Sequence, residues 1–246
     1  MSEFKANVEA VYRRLEAAAS RGGRKAGDVT LIAVSKTHPA ERVIEAYQAG
    51  LRHFGENRTL EQEKVAVVNQ WVASQAGAAR PTWHFIGNVQ SRQVGDVLGH
   101  YDLIHSVDSL KLAQRINRLA ERDGLPAVEI LLQGNVSGET AKSGFDLSHW
   151  SSRPEKLAVF LAAIAEMAIL EKIKIRGLMT MAPIVTDPEE TRPTFSSLAA
   201  LRQRLQQERP DLEWAELSMG MTDDFEVAIE EGATLIRVGR ALFGER

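Results

Sequence analysis

The sequence has no cysteine among its 246 residues, so disulfide cross-links and thiolate chemistry are excluded. It also lacks a basic excess, because charged residues make up 26% of the chain and the formal net charge is -3. Nucleic-acid binding would need clustered basic charge, so we expect no nucleic-acid partner. The lack of cysteine suits a reducing compartment, and we expect the protein to be cytoplasmic.

Long apolar segments are also missing. The N-terminal stretch MSEFKANVEAVYRRLEAAASRGGRK has no uninterrupted apolar region, so no signal peptide is predicted. The longest apolar stretch, LAVFLAAIAEMAIL at residues 157–170, is too short to span a bilayer and contains Glu166. We therefore expect a buried helix of a soluble protein here, and no membrane partner.

The chain has the material for one sizeable core, since 44% of its residues are hydrophobic. Short apolar segments rich in Val, Ile and Leu alternate with segments of helical periodicity, and an amphipathic helix comes first, from Phe4 to about Gly22. The eight predicted strands are at residues 29–35, 52–55, 83–87, 102–107, 127–136, 174–181, 213–219 and 234–239. The main predicted helices between them are at residues 41–48, 59–74, 89–98, 108–122, 188–208 and 223–230, with another that starts at Pro154.

This alternation indicates an α/β fold with parallel strands and right-handed crossovers. Eight units within about 250 residues favour a single (β/α)8 TIM barrel, one domain over residues 1–246, with an extra N-terminal helix. The alternative is an open doubly wound sheet, but no Gly-x-Gly-x-x-Gly follows the first strand. The irregular segment 138–155 is too long for an ordinary connection, so we predict a functional or covering loop.

Lys36 ends the first predicted strand, in the segment LIAVSKTH at residues 31–38. In a barrel of this kind the chemistry gathers at the C-terminal ends of the strands. Partial desolvation there favours the neutral amine, which can attack an aldehyde and form a Schiff base. The structural alternative is a lysine that reaches out to solvent or pairs with Glu56.

The turn after the seventh strand is a candidate anion site. Ser218, Gly220 and Thr222 lie in SMGMTD, which leads into a predicted helix and offers backbone N–H groups to an anion. Gly239 follows the eighth strand, and the loops after strands 7 and 8 of barrels frequently bind phosphate. The alternative is an ordinary turn in which Thr222 or Asp223 caps the helix.

Arg237 interrupts the apolar strand TLIRVG, and a buried guanidinium requires a partner. That partner is either a carboxylate within the barrel or a ligand group at the barrel mouth. His38, His84 and His105 lie near strand ends without metal-ligand spacing, so no metal site is predicted. Asn57 follows the second strand, where it either faces the mouth or caps a helix.

Motifs through nearly the whole chain carry a resemblance to a known family. They are AVSKTHP, FGENR, WHFIGNVQSR, HSVDS, LLQGNVSGETAKSGF, RGLMTMAP, ELSMGMTDDFEVAI and GATLIRVGRALFG, in this order. With them the chain resembles the pyridoxal phosphate homeostasis protein family. The resemblance implies a fold like the N-terminal barrel of alanine racemase and the cofactor pyridoxal 5′-phosphate (PLP).

The resemblance also implies roles for individual residues. Lys36 would carry PLP as a Schiff base, and Arg237 would face the pyridine nitrogen. The other residues implied at the cofactor are Asn57 and Ile86 at the ring, Met179 on the strand 6 side, and Ser218, Gly220, Thr222 and Gly239 at the phosphate. No metal is implied.

Four positions depart from the usual family pattern. Asn88 stands where the family usually has His, and Arg92-Gln93 stands where it often has Asn-Lys. Gly134 replaces a more usual branched apolar residue. None of these positions belongs to the predicted lysine or phosphate contacts, but they leave open the surface around the third strand and any partner or regulatory role placed there.

The expected function is to hold PLP reversibly for intracellular PLP homeostasis and to release it by transimination. Charged Arg237 opposes protonation of the ring nitrogen, on which carbanion chemistry depends. Racemases of this fold also use a tyrosine base, whereas Tyr12, Tyr47 and Tyr101 do not lie at predicted strand ends. The chain ends at Arg246, directly after the barrel, so we expect a monomer without strong catalytic activity of its own.

Two other functions are open at this point. One is a low-activity PLP-dependent amino-acid racemase, and the other is a Schiff-base aldolase without cofactor, which would be colourless. Besides PLP, the expected partners are amino acids and enzymes that accept PLP. Lys142 in the long loop is either a solvated lysine, which we prefer, or a second cofactor site.

Overall fold

The computed structural model describes residues 3–139 and 143–244. The strands are β1 (Thr30–Val34), β2 (His53–Glu56), β3 (Thr82–Phe85), β4 (Leu103–Val107), β5 (Val128–Asn135), β6 (Phe145–Asp146), β7 (Ile173–Met179), β8 (Glu216–Ser218) and β9 (Leu235–Val238). The α-helices are α1 (Glu3–Arg21), α2 (Ala40–Gln48), α3 (Gln62–Ala73), α4 (Val94–Val97), α5 (Leu110–Arg122), α6 (Pro154–Ala168), α7 (Arg192–Glu208), α8 (Phe225–Glu230) and α9 (Arg240–Phe243).

Eight of the strands close into a parallel barrel in the order β1-β2-β3-β4-β5-β7-β8-β9. The barrel closes where β9 pairs with β1, and Ile32 lies opposite Arg237 in that register. The short strand β6 adds to β5 beside Gly134 and Asn135. The predicted (β/α)8 TIM barrel with an extra N-terminal helix is confirmed.

The hydrophobic core has two parts. The larger part fills the space between the barrel and its helices. The smaller part lies inside the barrel and consists of Ile32, Leu103, Leu131, Met179 and Leu235. Apolar side chains therefore fill part of the barrel interior, and polar side chains occupy other inward positions.

Some predicted element boundaries are wrong. The predicted helices at residues 59–74 and 188–208 each begin as a short 3-10 turn, and β8 is shorter than predicted. The helix predicted from residue 108 begins at Leu110, and its N-cap is Ser109, whose hydroxyl accepts a hydrogen bond from the N–H of Leu112 at 3.3 Å. Ser109 takes the cap because it has the extended backbone that an N-cap requires. Within the described residues, no helix is long and apolar enough to cross a membrane.

Candidate functional site

Lys36 is the second residue after β1, at the C-terminal mouth of the barrel. It is half-buried, and Ser35 before it is fully buried. Thr37 after it has a φ of +68°, a left-handed conformation that is uncommon for a β-branched residue. Strained backbone of this kind persists only where neighbouring groups hold it in place.

A second lysine holds this turn. The Nζ of Lys64, on α3, donates to the carbonyl oxygen of Ser35 at 2.9 Å and to that of His38 at 3.0 Å. These two carbonyls stand on either side of Lys36 and Thr37. Lys64 therefore fixes both ends of the short segment that presents Lys36.

The ammonium of Lys64 is buried and is balanced by two carboxylates. Its Nζ lies 2.8 Å from Oε1 of Glu56 and 3.0 Å from Oε2 of Glu61. Glu56 is fully buried, and its Oε1 also accepts the hydroxyl of Ser35 at 2.6 Å. Burial raises the pKa of Glu56, and Lys64 opposes that rise.

The predicted phosphate turn requires a glycine at its centre. Gly220 has a φ of +90°, and a Cβ there would lie 2.6 Å from Cβ of Ala228 and 2.9 Å from Cα of Phe225. Across the described ranges, no acceptor meets the backbone N–H of Gly220 or Thr222. These two N–H groups are therefore available to an anion.

The cap of the following helix differs from the predicted alternative. The N-cap of α8 is Asp224, in place of Thr222 or Asp223, and its Oδ1 accepts the N–H of Met221 at 2.6 Å. The carboxylate folds back into the turn and makes no hydrogen bond to the first turn of α8, while the N–H of Phe225 bonds to the carbonyl of Met221 at 2.9 Å. Asp224 thus stabilises the turn, and the hydroxyl of Thr222 is not needed as a cap.

Gly239 brings the end of β9 against the end of β1. A Cβ at Gly239 would lie 3.3 Å from the carbonyl oxygen of Val34, so a side chain there would press on the strand that carries Lys36. Gly239, a predicted phosphate residue, and Lys36, the predicted Schiff-base lysine, therefore lie at the neighbouring ends of the paired strands β9 and β1.

Arg237 is buried, with 5% of its surface exposed. Its Nη1 donates to Oγ of Ser218 at 2.6 Å, and its Nη2 donates to the carbonyl oxygen of Thr180 at 3.1 Å. In the described part of the chain, no carboxylate lies within ion-pair distance of Arg237. Burial lowers the pKa of Arg237 to about 10, against the favourable charge of Asp224, so the guanidinium is charged at neutral pH.

The residues predicted at the ring are packed around two glycines. A Cβ at Gly55 would lie 3.0 Å from Ile32 and 3.3 Å from Ile86, so Gly55 leaves room for both side chains. A Cβ at Gly87 would lie 2.1 Å from the carbonyl oxygen of Asn57. The Oδ1 of Asn57 is buried and has no partner among the described residues, so it is an acceptor open to a ligand donor.

The predicted site residues thus lie on adjoining strands of one barrel end. Met179 pairs with Ser218 in the β7–β8 register, and Ser218 contacts Arg237. Lys142, the candidate second lysine, lies outside the described residues. A cleft of about 240 Å³ opens beside Asn57, and Asn88 and Gln93, which depart from the family pattern, both line it.

Three histidines were missed as part of this site. His53 Nδ1 lies 3.1 Å from His84 Nε2, and His84 Nδ1 lies 2.9 Å from His105 Nε2. His105 Nδ1 then lies 2.8 Å from Oγ of Ser218, which binds Arg237. His84 and His105 were considered only for metal-ligand spacing along the sequence, and His53 was not a candidate. The useful signal was their occurrence in three consecutive buried strands, β2, β3 and β4.

Burial keeps these histidines neutral. Burial, together with the neighbouring His53, lowers the pKa of His84 to about 3. Burial also lowers the pKa of His105 well below its usual value, together with His84 and Arg237. At neutral pH each imidazole therefore has one N–H donor and one nitrogen acceptor.

Comparison with known proteins identifies the relatives of this chain. The family profile described as "Alanine racemase, N-terminal domain" matches residues 6–246. The chain is 41% identical to the "Pyridoxal phosphate homeostasis protein" of Pseudomonas aeruginosa, over 100% of this chain and 97% of that protein. It is 37% identical to the protein of the same name from Vibrio cholerae, over 100% and 98%. The chain belongs to the pyridoxal phosphate homeostasis protein family.

Solved structures agree with this assignment. PipY of Synechococcus elongatus, solved without PLP, has a TM-score of 0.80 and 36% identity, over 98% of this chain and 100% of that chain. The structure of PipY with PLP bound has a TM-score of 0.74 and 34% identity, over the same shares. Alanine racemase of Clostridium difficile, 17% identical with a TM-score of 0.62, covers 96% of this chain and 56% of its own, and shows the fold alone. The family resemblance inferred from the motifs is confirmed.

Proposed function

We propose that this protein binds PLP at the barrel mouth and serves PLP homeostasis by holding the cofactor on Lys36 and releasing it to amines. The observation that carries the proposal is the convergence at one barrel end of Lys36, the glycine turn at Gly220 and the buried Arg237. The names of the relatives and the PLP bound to PipY support it.

The groups at the mouth fit the chemistry of PLP. The N–H groups of Gly220 and Thr222, with Gly239 beside them, would hold the phosphate, in a turn whose conformation and packing require glycine at position 220. Lys36 would hold the aldehyde carbon. When bound, PLP supplies an aldehyde that reacts reversibly with amines and a ring that withdraws electrons from an attached carbon.

The ring contacts would come from neighbouring strands. Arg237 would donate to the ring nitrogen, while Asn57, Ile86 and Met179 would line the ring. Ser218 lies beside the phosphate turn and accepts a hydrogen bond from Arg237.

A carrier role suits this site better than racemisation. A charged guanidinium can donate a hydrogen bond to the ring nitrogen but cannot accept one. Arg237 would therefore disfavour protonation of that nitrogen and weaken the electron withdrawal by the ring. A racemase also needs a second base opposite the lysine. All three tyrosines are among the described residues, and they lie elsewhere: Tyr12 on α1, Tyr47 bonded to the carbonyl of Ala79, and Tyr101 against Phe85.

Free amino acids and apo-enzymes that need PLP are the amines that would take the cofactor from Lys36. We place this exchange in the cytoplasm and assign it to a monomer. Racemase activity would appear as exchange of the α-deuterium of an amino acid faster than with free PLP. We expect no such excess in the PLP-loaded protein, and a clear excess would favour the racemase.

The decisive experiment is borohydride reduction of the PLP-loaded protein followed by peptide mapping. We expect a pyridoxyl adduct on Lys36, and we expect Lys36→Ala to lose both the adduct and the yellow colour. Lys111→Ala is the matched control, because Lys111 lies on the exposed face of α5. Absence of the adduct, or its presence on another lysine, would refute the proposal.

A further inference from the structure

Five polar side chains form a continuous hydrogen-bonded chain through the barrel interior. They come from five strands, in the order His53, His84, His105, Ser218 and Arg237. All except His53 are buried. His53 is half-buried at the start of β2, where Glu216 and Asp102 are the nearest carboxylates. The chain therefore runs from the opposite end of the barrel to the candidate PLP site.

The donor-only chemistry of Arg237 sets the direction of this chain. A guanidinium has no acceptor, so Oγ of Ser218 accepts from Nη1 of Arg237. The hydroxyl of Ser218 also contacts Nδ1 of His105. Of its two partners, only His105 can accept the hydroxyl proton, because Arg237 has no acceptor. His105 must then present a bare Nδ1 and hold its proton on Nε2.

The same constraint passes along the remaining histidines. The Nε2–H of His105 donates to Nδ1 of His84, so His84 also holds its proton on Nε2 and donates to Nδ1 of His53. Every link then has one donor and one acceptor. A buried network satisfied in this way is rigid, whereas a partly satisfied one is costly.

We infer that His53, His84 and His105 are positioning residues for Arg237, acting through Ser218, whose hydroxyl serves Arg237 and not the phosphate. This inference rests on the proposed PLP site. The carbonyl of Thr180 holds Nη2 of Arg237, whereas Nη1 is held by a lone pair of the Ser218 hydroxyl. The histidine chain sets the direction of that lone pair. Loss of a histidine would leave the hydroxyl of Ser218 free to rotate, and Arg237 would be less restrained where it would meet the ring nitrogen.

The first test measures the histidine tautomers in the cofactor-free protein. Long-range proton–nitrogen spectra of the 15N-histidine-labelled protein distinguish Nε2–H, Nδ1–H and doubly protonated rings. We expect His53, His84 and His105 to be neutral Nε2–H tautomers at neutral pH. An Nδ1–H tautomer or an imidazolium at His84 or His105 would overturn the inference, whether or not the protein binds PLP.

The second test interrupts the chain at its centre. His84→Leu removes a donor and an acceptor, whereas His84→Gln keeps one of each. We expect His84→Leu to weaken PLP binding about tenfold, the effect of losing one buried hydrogen bond, and to shift the absorbance of bound PLP. We expect His84→Gln to restore most of both.

His100→Gln is the control, because His100 is a half-buried histidine that does not belong to the histidine chain. This substitution should leave the affinity for PLP and the absorbance of bound PLP unchanged. If His84→Leu folds and binds PLP with unchanged affinity and absorbance, the inference fails. If His84→Leu does not fold, the inference is tested by the histidine tautomers of the wild-type protein alone. If the wild-type protein does not bind PLP at all, the proposed function fails while the tautomer test still stands.

Discussion

Two lysines, Lys36 and Lys64, belong to the turn after β1, and their surroundings give them different roles. Lys36 lies half-buried at the mouth, whereas Lys64 is buried and bonded to the Ser35 and His38 carbonyls and to Glu56 and Glu61. A buried Nζ that is engaged by four acceptors is not free to attack an aldehyde. Lys64 is therefore structural, and it determines where Lys36 is presented.

Replacement of Lys64 by methionine should be costly, because it leaves the carboxylate of Glu56 buried without its cation. We expect Lys64→Met to lower the free energy of unfolding by about 3 kcal/mol and to slow PLP capture. Urea denaturation and the rise of the absorbance of bound PLP measure the two effects. Lys156→Met is the control: Lys156 pairs with Asp146, which is 68% exposed, so about 1 kcal/mol or less is expected.

The penalty of Lys64→Met should also depend on pH. Burial raises the pKa of Glu56 in the folded protein, so the contribution of Glu56 to stability falls as pH rises through that raised value. Without Lys64 the pKa rises further. The variant should therefore recover part of its stability in acid, and Glu56→Gln in the same background should recover it at neutral pH. A penalty that is equal at all pH values would contradict this explanation.

At Gly220, backbone conformation and close packing can be separated by a matched pair of substitutions. Gly220→Ala would combine a positive φ with a contact of 2.6 Å to Ala228, whereas Gly77→Ala has a similar φ of +72° and nothing within 4 Å. We expect losses of about 3 kcal/mol and about 1 kcal/mol respectively in urea unfolding. Gly220→Ala should also weaken PLP binding. Equal losses at the two glycines would show that packing at the turn is unimportant.

Single site residues could be predicted where their position relative to an apolar strand is enough to identify them. Lys36 and Arg237 are conspicuous because each interrupts or ends an apolar strand, and the glycine turn follows a strand end. The histidine chain and the bonds from Lys64 to the carbonyls of Ser35 and His38 could not be predicted, because each joins residues that are distant in sequence. His105 and Ser218, for example, are 113 positions apart.

Among the elements, α1 stabilises the barrel from outside. Its buried side chains, among them Phe4, Val11 and Leu15, pack in the larger core, and Arg14 and Arg21 bind Glu226 and Glu230 on α8. The extra helix is thus attached to the short helix that follows the phosphate turn. Its packing supports one wall of the candidate site.

Truncation of one buried side chain of α1 should reveal this support. Leu15 is 1% exposed, so we expect Leu15→Ala to lower the free energy of unfolding by about 3 kcal/mol, measured in urea. Ile169→Ala, at a position 81% exposed, should change it by about 0.5 kcal/mol or less. Similar effects at both positions would mean that α1 contributes little.

All eight barrel strands were predicted, because buried parallel strands are apolar runs with clear ends. Strand β6 was not predicted, since two residues carry no periodicity and its pairing with Gly134 and Asn135 defines it. The structure also explains the departure at Gly134. A Cβ there would lie 3.1 Å from Leu147, so the missing side chain makes room for the segment that follows β6.

For the whole molecule, the neutral histidines predict a dependence of stability on pH. Burial lowers the pKa of His84 in the folded state to about 3, whereas the unfolded chain has the ordinary value of 6.5. Between these values the unfolded state binds the additional proton, so the free energy of unfolding falls as pH falls. The expected slope is up to about 1.4 kcal/mol per pH unit for each such histidine.

His84→Gln removes one of these protonation sites. It should therefore flatten the decline of stability in acid relative to the wild-type protein, with urea unfolding at several pH values as the measurement. A slope that His84→Gln does not alter would mean that His84 is protonated in the folded protein.

The histidine chain has a further consequence for how the barrel folds. The contacts of His53 with His84 and of His84 with His105 join neighbouring strand–helix units, whereas the contact of His105 with Ser218 spans 113 positions. Long loops must close before such a contact forms, so it should arise late on the folding pathway. We expect the imidazole resonance of His105 to reach its native position only in the last kinetic phase, when the two halves of the chain join.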